Sequence, residues 1–287
     1  MSRLSRRSFF SLGVAWSASG FLRGPAYEEH ELEIAESAPN LSRCVVALPI
    51  LRPKAAKLPI AILLHGLGET RDPKLGVRAW LDAYGLRSAL DRLDEGHLRG
   101  DASYQYLSAD ERYALNDSLH REPFQGLCIV CPFLPNPHVG GNWQTSLLRY
   151  AIWATEKLLP AVRREFPDVA GERVGLAGVS LGGFSALEVY LQRPTSFQAL
   201  GSVQGAFSKV YARAAAQRLL ATGQKPAVYA GTSTFDPYRV ANVDFARAVE
   251  AGGGNVKLNV RNGPHSQAWL REIGTLDTLI WLDRALR

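Results

Sequence analysis

The pentapeptide Gly178-Val179-Ser180-Leu181-Gly182 restricts what this chain can fold into more than any other feature. Upstream, Arg173-Val174-Gly175-Leu176-Ala177 is a short apolar run that reads as a strand. Downstream, Gly183-Phe184-Ser185-Ala186-Leu187-Glu188-Val189-Tyr190 reads as a helix. A serine on a tight strand-to-helix turn is a nucleophile elbow. The turn is crowded, so its neighbours must be small, and glycine also tolerates strained dihedrals. The hydroxyl is pushed out above the sheet at the start of a helix, where free N–H groups favour negative charge. G-x-S-x-G alone is common by chance. Strand, elbow and helix in this order give the match its weight against a glycine-rich turn with an inert serine.

The rest of the chain alternates in the same way. Strands are expected at 43–50, 60–65, 127–131, 173–177, 199–203, 227–230 and 256–260, and helices at 75–93, 147–166, 181–192, 208–222, 240–251 and 267–286. The helix at 147–166 carries apolar residues at Leu148, Ile152, Leu159, Val162 and Phe166, a helical spacing. Strands alternating with helices imply βαβ units, a mostly parallel sheet and right-handed crossovers with helices on both faces. Loops at the carboxyl ends of the strands become the place for chemistry. One connection breaks the rhythm. About 60 residues separate the strand ending at His65 from the one starting at Leu127, with a polar stretch holding Tyr104, Tyr106 and Tyr113. Segment 69–125 is a candidate lid or insertion that shapes a pocket, or a surface excursion.

The first residues are set aside from the fold. Ser5-Arg6-Arg7-Ser8-Phe9-Phe10 resembles a twin-arginine export signal, and a moderately apolar stretch runs to Leu22. That stretch falls short of the ~20 residues a helix needs to span a bilayer. The expected organisation is a signal at 1–26 and one domain at 27–287, with the twin-arginine export machinery as a partner and a periplasmic or secreted location. Removing roughly residues 1–24 takes away four arginines and no acid, so the formal charge falls from +6 to +2. No basic stripe with interleaved aromatics remains, which argues against nucleic-acid binding. With 46% hydrophobic residues the chain can build a sizeable core. Cys128 and Cys131 lie three apart on an expected buried strand and point to opposite faces, so they read as small buried hydrophobes, with a bridge from Cys44 to one of them left open.

A serine needs an adjacent base. Of six histidines only His265, in Asn262-Gly263-Pro264-His265-Ser266, follows Ser180. The third member should be a carboxylate between them, on a loop after a strand. Asp236 fits, in Thr232-Ser233-Thr234-Phe235-Asp236-Pro237. Asp244 is the rival, inside an expected helix, and Asp236 could also be a simple turn cap before Pro237. An acid there would hold the imidazole tautomer and stabilise the imidazolium. Oxyanion donors are expected from the backbone N–H groups of Leu181 and of Leu67, in His65-Gly66-Leu67-Gly68. His65 is then expected to fix its loop by hydrogen bonding. Trp143, on a loop after the strand with Cys128, is either a substrate-binding wall or an ordinary core or surface tryptophan.

Together these motifs resemble the esterase branch of the α/β-hydrolases, the group that includes esterase D-like enzymes, feruloyl and acetylxylan esterases and relatives of polyhydroxybutyrate depolymerases. The matching pieces are Leu63-Leu64-His65-Gly66-Leu67-Gly68, Gly178 to Gly183, Gly231 to Asp236, and Gly263-Pro264-His265 followed by Trp269. The resemblance implies an α/β-hydrolase fold and hydrolysis of a small or polymer-linked carboxylic ester through an acyl-enzyme, with no metal or organic cofactor. Segment 69–125 departs from the pattern and leaves the substrate open. Acyl transfer or peptide cleavage on the same three residues, and a non-catalytic scaffold that binds carbohydrate or lipid, are the alternatives.

Overall fold

A computed structural model describes residues 26–35, 37–38, 41–50, 57–100 and 103–287. The expected signal, apart from Ala26, lies outside these residues. Eight strands form one sheet in the order β1-β2-β4-β3-β5-β6-β7-β8. They are β1 (Tyr27–Glu33), β2 (Arg43–Pro49), β3 (Leu58–Leu64), β4 (Cys128–Pro132), β5 (Ala170–Val179), β6 (Ala199–Val203), β7 (Ala227–Phe235) and β8 (Val256–Pro264). β1 pairs antiparallel with β2, and β2 with β4; the other neighbours are parallel. The helices are α1 (Pro73–Asp82), α2 (Leu86–Glu95), α3 (Ala109–Arg121), α4 (Trp143–Trp153), α5 (Leu159–Glu165), α6 (Leu181–Gln192), α7 (Lys209–Ala221), α8 (Arg239–Ala251), the single turn α9 (Gln267–Trp269) and α10 (Thr275–Ala285).

Side-chain alternation along the strands builds a core on each face. Ile60, Ile62 and Leu64 of β3 join residues of α4 to α8, while Ala61 and Leu63 join residues of α1, α2, α3 and α10. Helices therefore cover both faces, as the alternation of elements requires. Cys44 and Cys128 fall on the first face and Cys131 on the second. All three thiols are free and buried. In the antiparallel register of β2 and β4, Cys44 lies opposite Pro132, four positions from Cys128, or about 13 Å along the strand, so no bridge forms.

Several elements differ from the sequence expectation. β1 is an additional edge strand; six of its seven residues are not buried, and its carboxylates protect an open edge. The expected helix at 75–93 is two helices, because Gly85 takes a left-handed φ of 77° and turns the chain between α1 and α2. The helix from Trp143 is interrupted at Ala154–Leu158 by a π turn in which the Leu159 N–H reaches back to Ala154 O. Pro160 explains it: proline lacks the N–H that a regular helix would use there. A second π turn, Leu270–Gly274, joins α9 to α10.

The long connection after β3 contains α3, with a capping box between Ser108 and Glu111. Arg261 of β8 pairs with Glu111 at 3.1 Å, Arg284 of α10 donates to Ser118 Oγ at 2.9 Å, and the Glu272 carboxylate of the second π turn accepts from the N–H groups of Gln105, Tyr106 and Leu107. The far end of the connection is thus bonded to β8 and α10, while its first residues, Gly66 to Glu69, border the elbow.

Candidate active site

β5 delivers Ser180 to the carboxyl edge of the sheet and α6 starts on the next residue. Ser180 has φ 56° and ψ −117°. This non-glycine strain costs of order 1–3 kcal/mol and persists only where the surroundings fix it. They do so from both sides: the Ser180 N–H donates to Val203 O at 2.9 Å, and Ser180 O accepts from Ala206 N at 3.0 Å. The flanking glycines are obligatory for space. A Cβ on Gly178 would lie 2.3 Å from Gly182 O, and one on Gly182 would lie 2.3 Å from Leu64 O.

The three candidate side chains, dispersed over 86 positions of sequence, meet here. His265 Nε2 is 3.1 Å from Ser180 Oγ and His265 Nδ1 is 2.9 Å from Asp236 Oδ1. The Asp236 carboxylate is fully buried and the His265 ring about a quarter exposed. Asp236 also accepts from the Tyr238 N–H at 3.0 Å and from the Thr232 hydroxyl at 2.6 Å. These donors fix the orientation of the carboxylate. A carboxylate can only accept, so the Nδ1–H tautomer is set and Nε2 faces the serine as an acceptor. Asp244 does not join: it sits on α8, 3.9 Å from Arg213.

Leu181 N–H opens α6 and so has no acceptor within the helix. Leu67 follows Gly66 on the loop after β3 and is 56% exposed; a Cβ on Gly66 would lie 3.7 Å from Ser180 Cβ. That loop is held by His65, whose Nδ1 bonds Gly66 O and whose Nε2 accepts from the Leu134 N–H, both at 2.9 Å. Burial pushes the His65 pKa down, in keeping with a neutral ring. The Gly66 N–H donates to the Tyr84 hydroxyl at 3.0 Å, and Tyr84 in turn donates to Glu69. Glu69 accepts as well from Gln267, two residues beyond His265. Trp143 is half-buried at the start of α4, its ring 5.2 Å from Phe184, one turn after the serine; the His138 ring stacks on the same phenylalanine at 5.8 Å.

Gln204 is the residue that sequence reasoning missed. It follows β6, is fully buried and has a left-handed φ of 47°. Its N–H donates to Gly231 O, and its Nε2 donates to Ser233 Oγ at 2.7 Å and to Pro264 O at 2.9 Å. Ser233 Oγ donates to Pro264 O as well, at 3.1 Å. The turn 203–206 therefore touches the serine peptide on both sides, the β7 end that leads to Asp236 and the carbonyl directly before His265. An uncharged polar residue between Val203 and Gly205, at a strand's carboxyl end, was the available signal.

This sheet order and elbow define an α/β-hydrolase fold. Residues 133–272 match the model of the family described as "Putative esterase". A ferulic acid esterase structure is similar at 17% identity, covering 91% of this chain and 98% of the other, with a TM-score of 0.59. An S-formylglutathione hydrolase from Agrobacterium tumefaciens shares 16% identity over 92% and 98% of the two chains, with a TM-score of 0.57. The fluorophosphonate-binding serine hydrolase F of Staphylococcus aureus shares 13% over 91% and 99%, with a TM-score of 0.58. No curated protein sequence matches. Residues 133–272 are thus similar to an esterase family, and the fold is the one shared by these esterase and serine-hydrolase structures.

Proposed function

We propose that Ser180, His265 and Asp236 hydrolyse a carboxylic ester through an acyl-enzyme. The observation that carries this reading is the unbroken line of two hydrogen bonds, Ser180 Oγ to His265 Nε2 and His265 Nδ1 to Asp236 Oδ1. His265 takes the serine proton as Oγ bonds to the ester carbonyl carbon. The carbonyl oxygen becomes an oxyanion facing the N–H groups of Leu181 and Leu67, at the positive end of α6. Asp236 stabilises the imidazolium. The imidazolium then gives its proton to the departing alkoxide, and the C–O bond breaks. Water, deprotonated by His265, attacks the acyl-serine; the acid leaves and Oγ regains its proton. Trp143 and Phe184 form the wall beside the acyl group.

The test is fluorophosphonate labelling combined with turnover of short 4-nitrophenyl esters. Labelling and turnover by the wild type, both lost in Ser180→Ala, are expected. Labelling that persists in Ser180→Ala at the wild-type rate removes the serine from the mechanism.

Residues 1–26 are proposed to direct this domain, 27–287, through the twin-arginine machinery to the periplasm or outside. Support comes from Arg6-Arg7 and the apolar stretch behind them. Replacing both with lysine and fractionating cells should leave the enzyme inside; unchanged export refutes the assignment.

A further inference from the structure

The loop that carries Gly66 and Leu67 and the loop that carries His265 leave the sheet far apart. β3 leads into the first and β8 into the second, and β5, β6 and β7 stand between them. Strand pairing therefore places each loop against its own neighbours and not against the other. For the histidine loop this leaves one side held. Gln204 and the Ser233 hydroxyl both donate to Pro264 O, just before His265. The residues after His265 turn the other way, towards β3.

Glu69 meets them there. Gln267, exposed at the start of α9, donates from Nε2 to Glu69 Oε1 at 3.1 Å, a bond across 198 positions of sequence. The other carboxylate oxygen, Oε2, accepts from the Tyr84 hydroxyl, and that hydroxyl accepts from the Gly66 N–H at 3.0 Å. Each oxygen of one carboxylate thus holds one loop. The junction lies beside the nucleophile. A Cβ on Gly66 would be 3.2 Å from the Tyr84 hydroxyl, 3.6 Å from Glu69 Oε2 and 3.7 Å from Ser180 Cβ.

Tyr84 is a firm post for this link. It is buried between α1 and α2, its ring packs edge-on against Trp80 at 5.4 Å, and its carbonyl accepts from the Thr275 hydroxyl at 2.6 Å. Gly85 follows, so closely packed that an added Cβ would lie 2.7 Å from Arg271 Cα. Glu69 itself is half-buried in the short turn Gly68–Arg71, which has no side-chain cap, so the carboxylate is not spent on closing its own turn. Its donors are a phenol and an amide. Such bonds depend on direction, so they fix a position rather than merely attract.

We propose that Glu69 is a positioning residue that fixes the oxyanion loop and the histidine loop relative to one another across Ser180. The inference rests on the ester-hydrolase reading above and adds a residue to it. In the transition state the donors on one loop and the base on the other must be in place at the same moment. The strand from which each loop grows does not secure that, and the carboxylate between them does. Glu69 touches no part of the ester and takes no proton from it.

The test is steady-state hydrolysis of 4-nitrophenyl acetate by Glu69→Ala, Glu69→Gln and Gln267→Ala, with circular dichroism verifying the fold. Glu69→Ala should lower kcat by roughly 10–100-fold with KM within about threefold, since a misplacement of about 1 Å can cost 10²-fold. Glu69→Gln should keep kcat within about fivefold of wild type, because its amide oxygen still accepts from Tyr84 and Gln267 can turn its own oxygen to the new N–H. Gln267→Ala, a surface change, should lower kcat by about fivefold in wild type and cost nothing further in Glu69→Ala. If Glu69→Ala does not fold, the cycle of Gln267→Ala with Tyr84→Phe decides, and the two losses should combine to less than their product. The proposal is overturned by a kcat within about threefold of wild type in Glu69→Ala, by a change confined to KM, by Glu69→Gln as slow as Glu69→Ala, or by a Gln267→Ala loss that multiplies in full in either background. Ser180→Ala keeps the two readings apart. Turnover that survives in it removes the catalytic assignment; turnover lost in it but unchanged in Glu69→Ala removes only the link.

Discussion

Gln204→Leu separates the geometry of the relay from the stability of the fold. Leucine is close to glutamine in size and no worse at the left-handed φ, so backbone strain changes little. The substitution removes two side-chain bonds, to Ser233 Oγ and Pro264 O. At about 1 kcal/mol each, the stability loss is at most about 2 kcal/mol. Pro264 O keeps the Ser233 hydroxyl as a donor, so the loop stays folded. Catalysis is more sensitive. The lost donor held the peptide that begins His265, and a displacement of about 1 Å between reacting groups can cost 10²-fold in rate. The expected outcome on 4-nitrophenyl acetate is a kcat about 100-fold lower with KM within about threefold, because ground-state binding does not use this peptide. The decisive measurement is a double-mutant cycle. If Gln204 acts through His265, then Gln204→Leu in a His265→Ala background costs nothing further. The downfield proton resonance of His265 Nδ1–H, absent in Asp236→Ala, should shift or broaden in Gln204→Leu. A kcat loss below about threefold, or an equal loss with and without His265, refutes the clamp.

Other consequences follow from the same bonds. Tyr84→Phe leaves the Gly66 N–H and the Glu69 carboxylate without their hydroxyl partner; thermal denaturation should show a loss of about 1–3 kcal/mol, and kcat should fall with the oxyanion loop loosened, whereas wild-type kcat would dissociate that loop from Tyr84. Gly182→Ala forces a Cβ to 2.3 Å from Leu64 O and should yield no soluble folded protein, while Gly68→Ala, with open space at its Cβ position, should fold normally; soluble, active Gly182→Ala would contradict the elbow geometry. The pKa of His65 is lower folded than unfolded, so below about pH 6.5 the unfolded chain binds the proton first, and stability is complete above that value and declines as pH falls, by up to about 1.4 kcal/mol per unit. Denaturation midpoints between pH 7 and 5 should slope less in His65→Gln than in wild type; parallel slopes would assign the effect elsewhere.

What could be read beforehand was what short segments decide alone. The elbow announces itself because Gly178 and Gly182 must be small around a strained Ser180, between an apolar run and a helix. His265 and Asp236 were legible through chain order and through loops that follow strands. β1 was not, since its buried contribution is Leu32 among charged neighbours, and it becomes a strand only when β2 offers its edge. α3 buries Leu115 and Leu119 alone, too thin an apolar stripe to stand out in a polar stretch; its docking depends on Arg261 and Arg284, more than 140 positions away.

The relay shows why its support stays hidden while its members do not. A nucleophile, base and acid must be particular side chains, so each leaves a letter in the sequence. Their mutual distances depend instead on main-chain groups: Val203 O and the Ala206 N–H on either side of Ser180, Gly231 O and Pro264 O under Gln204. Any residue supplies those atoms, so the frame is written in the topology that brings the ends of β5, β6, β7 and β8 side by side in parallel. Gln204 is the exception, because bridging two neighbouring loops from the third needs an amide long enough to reach both. The turn after β6 is therefore where a side-chain change should disturb the relay without removing any of its members.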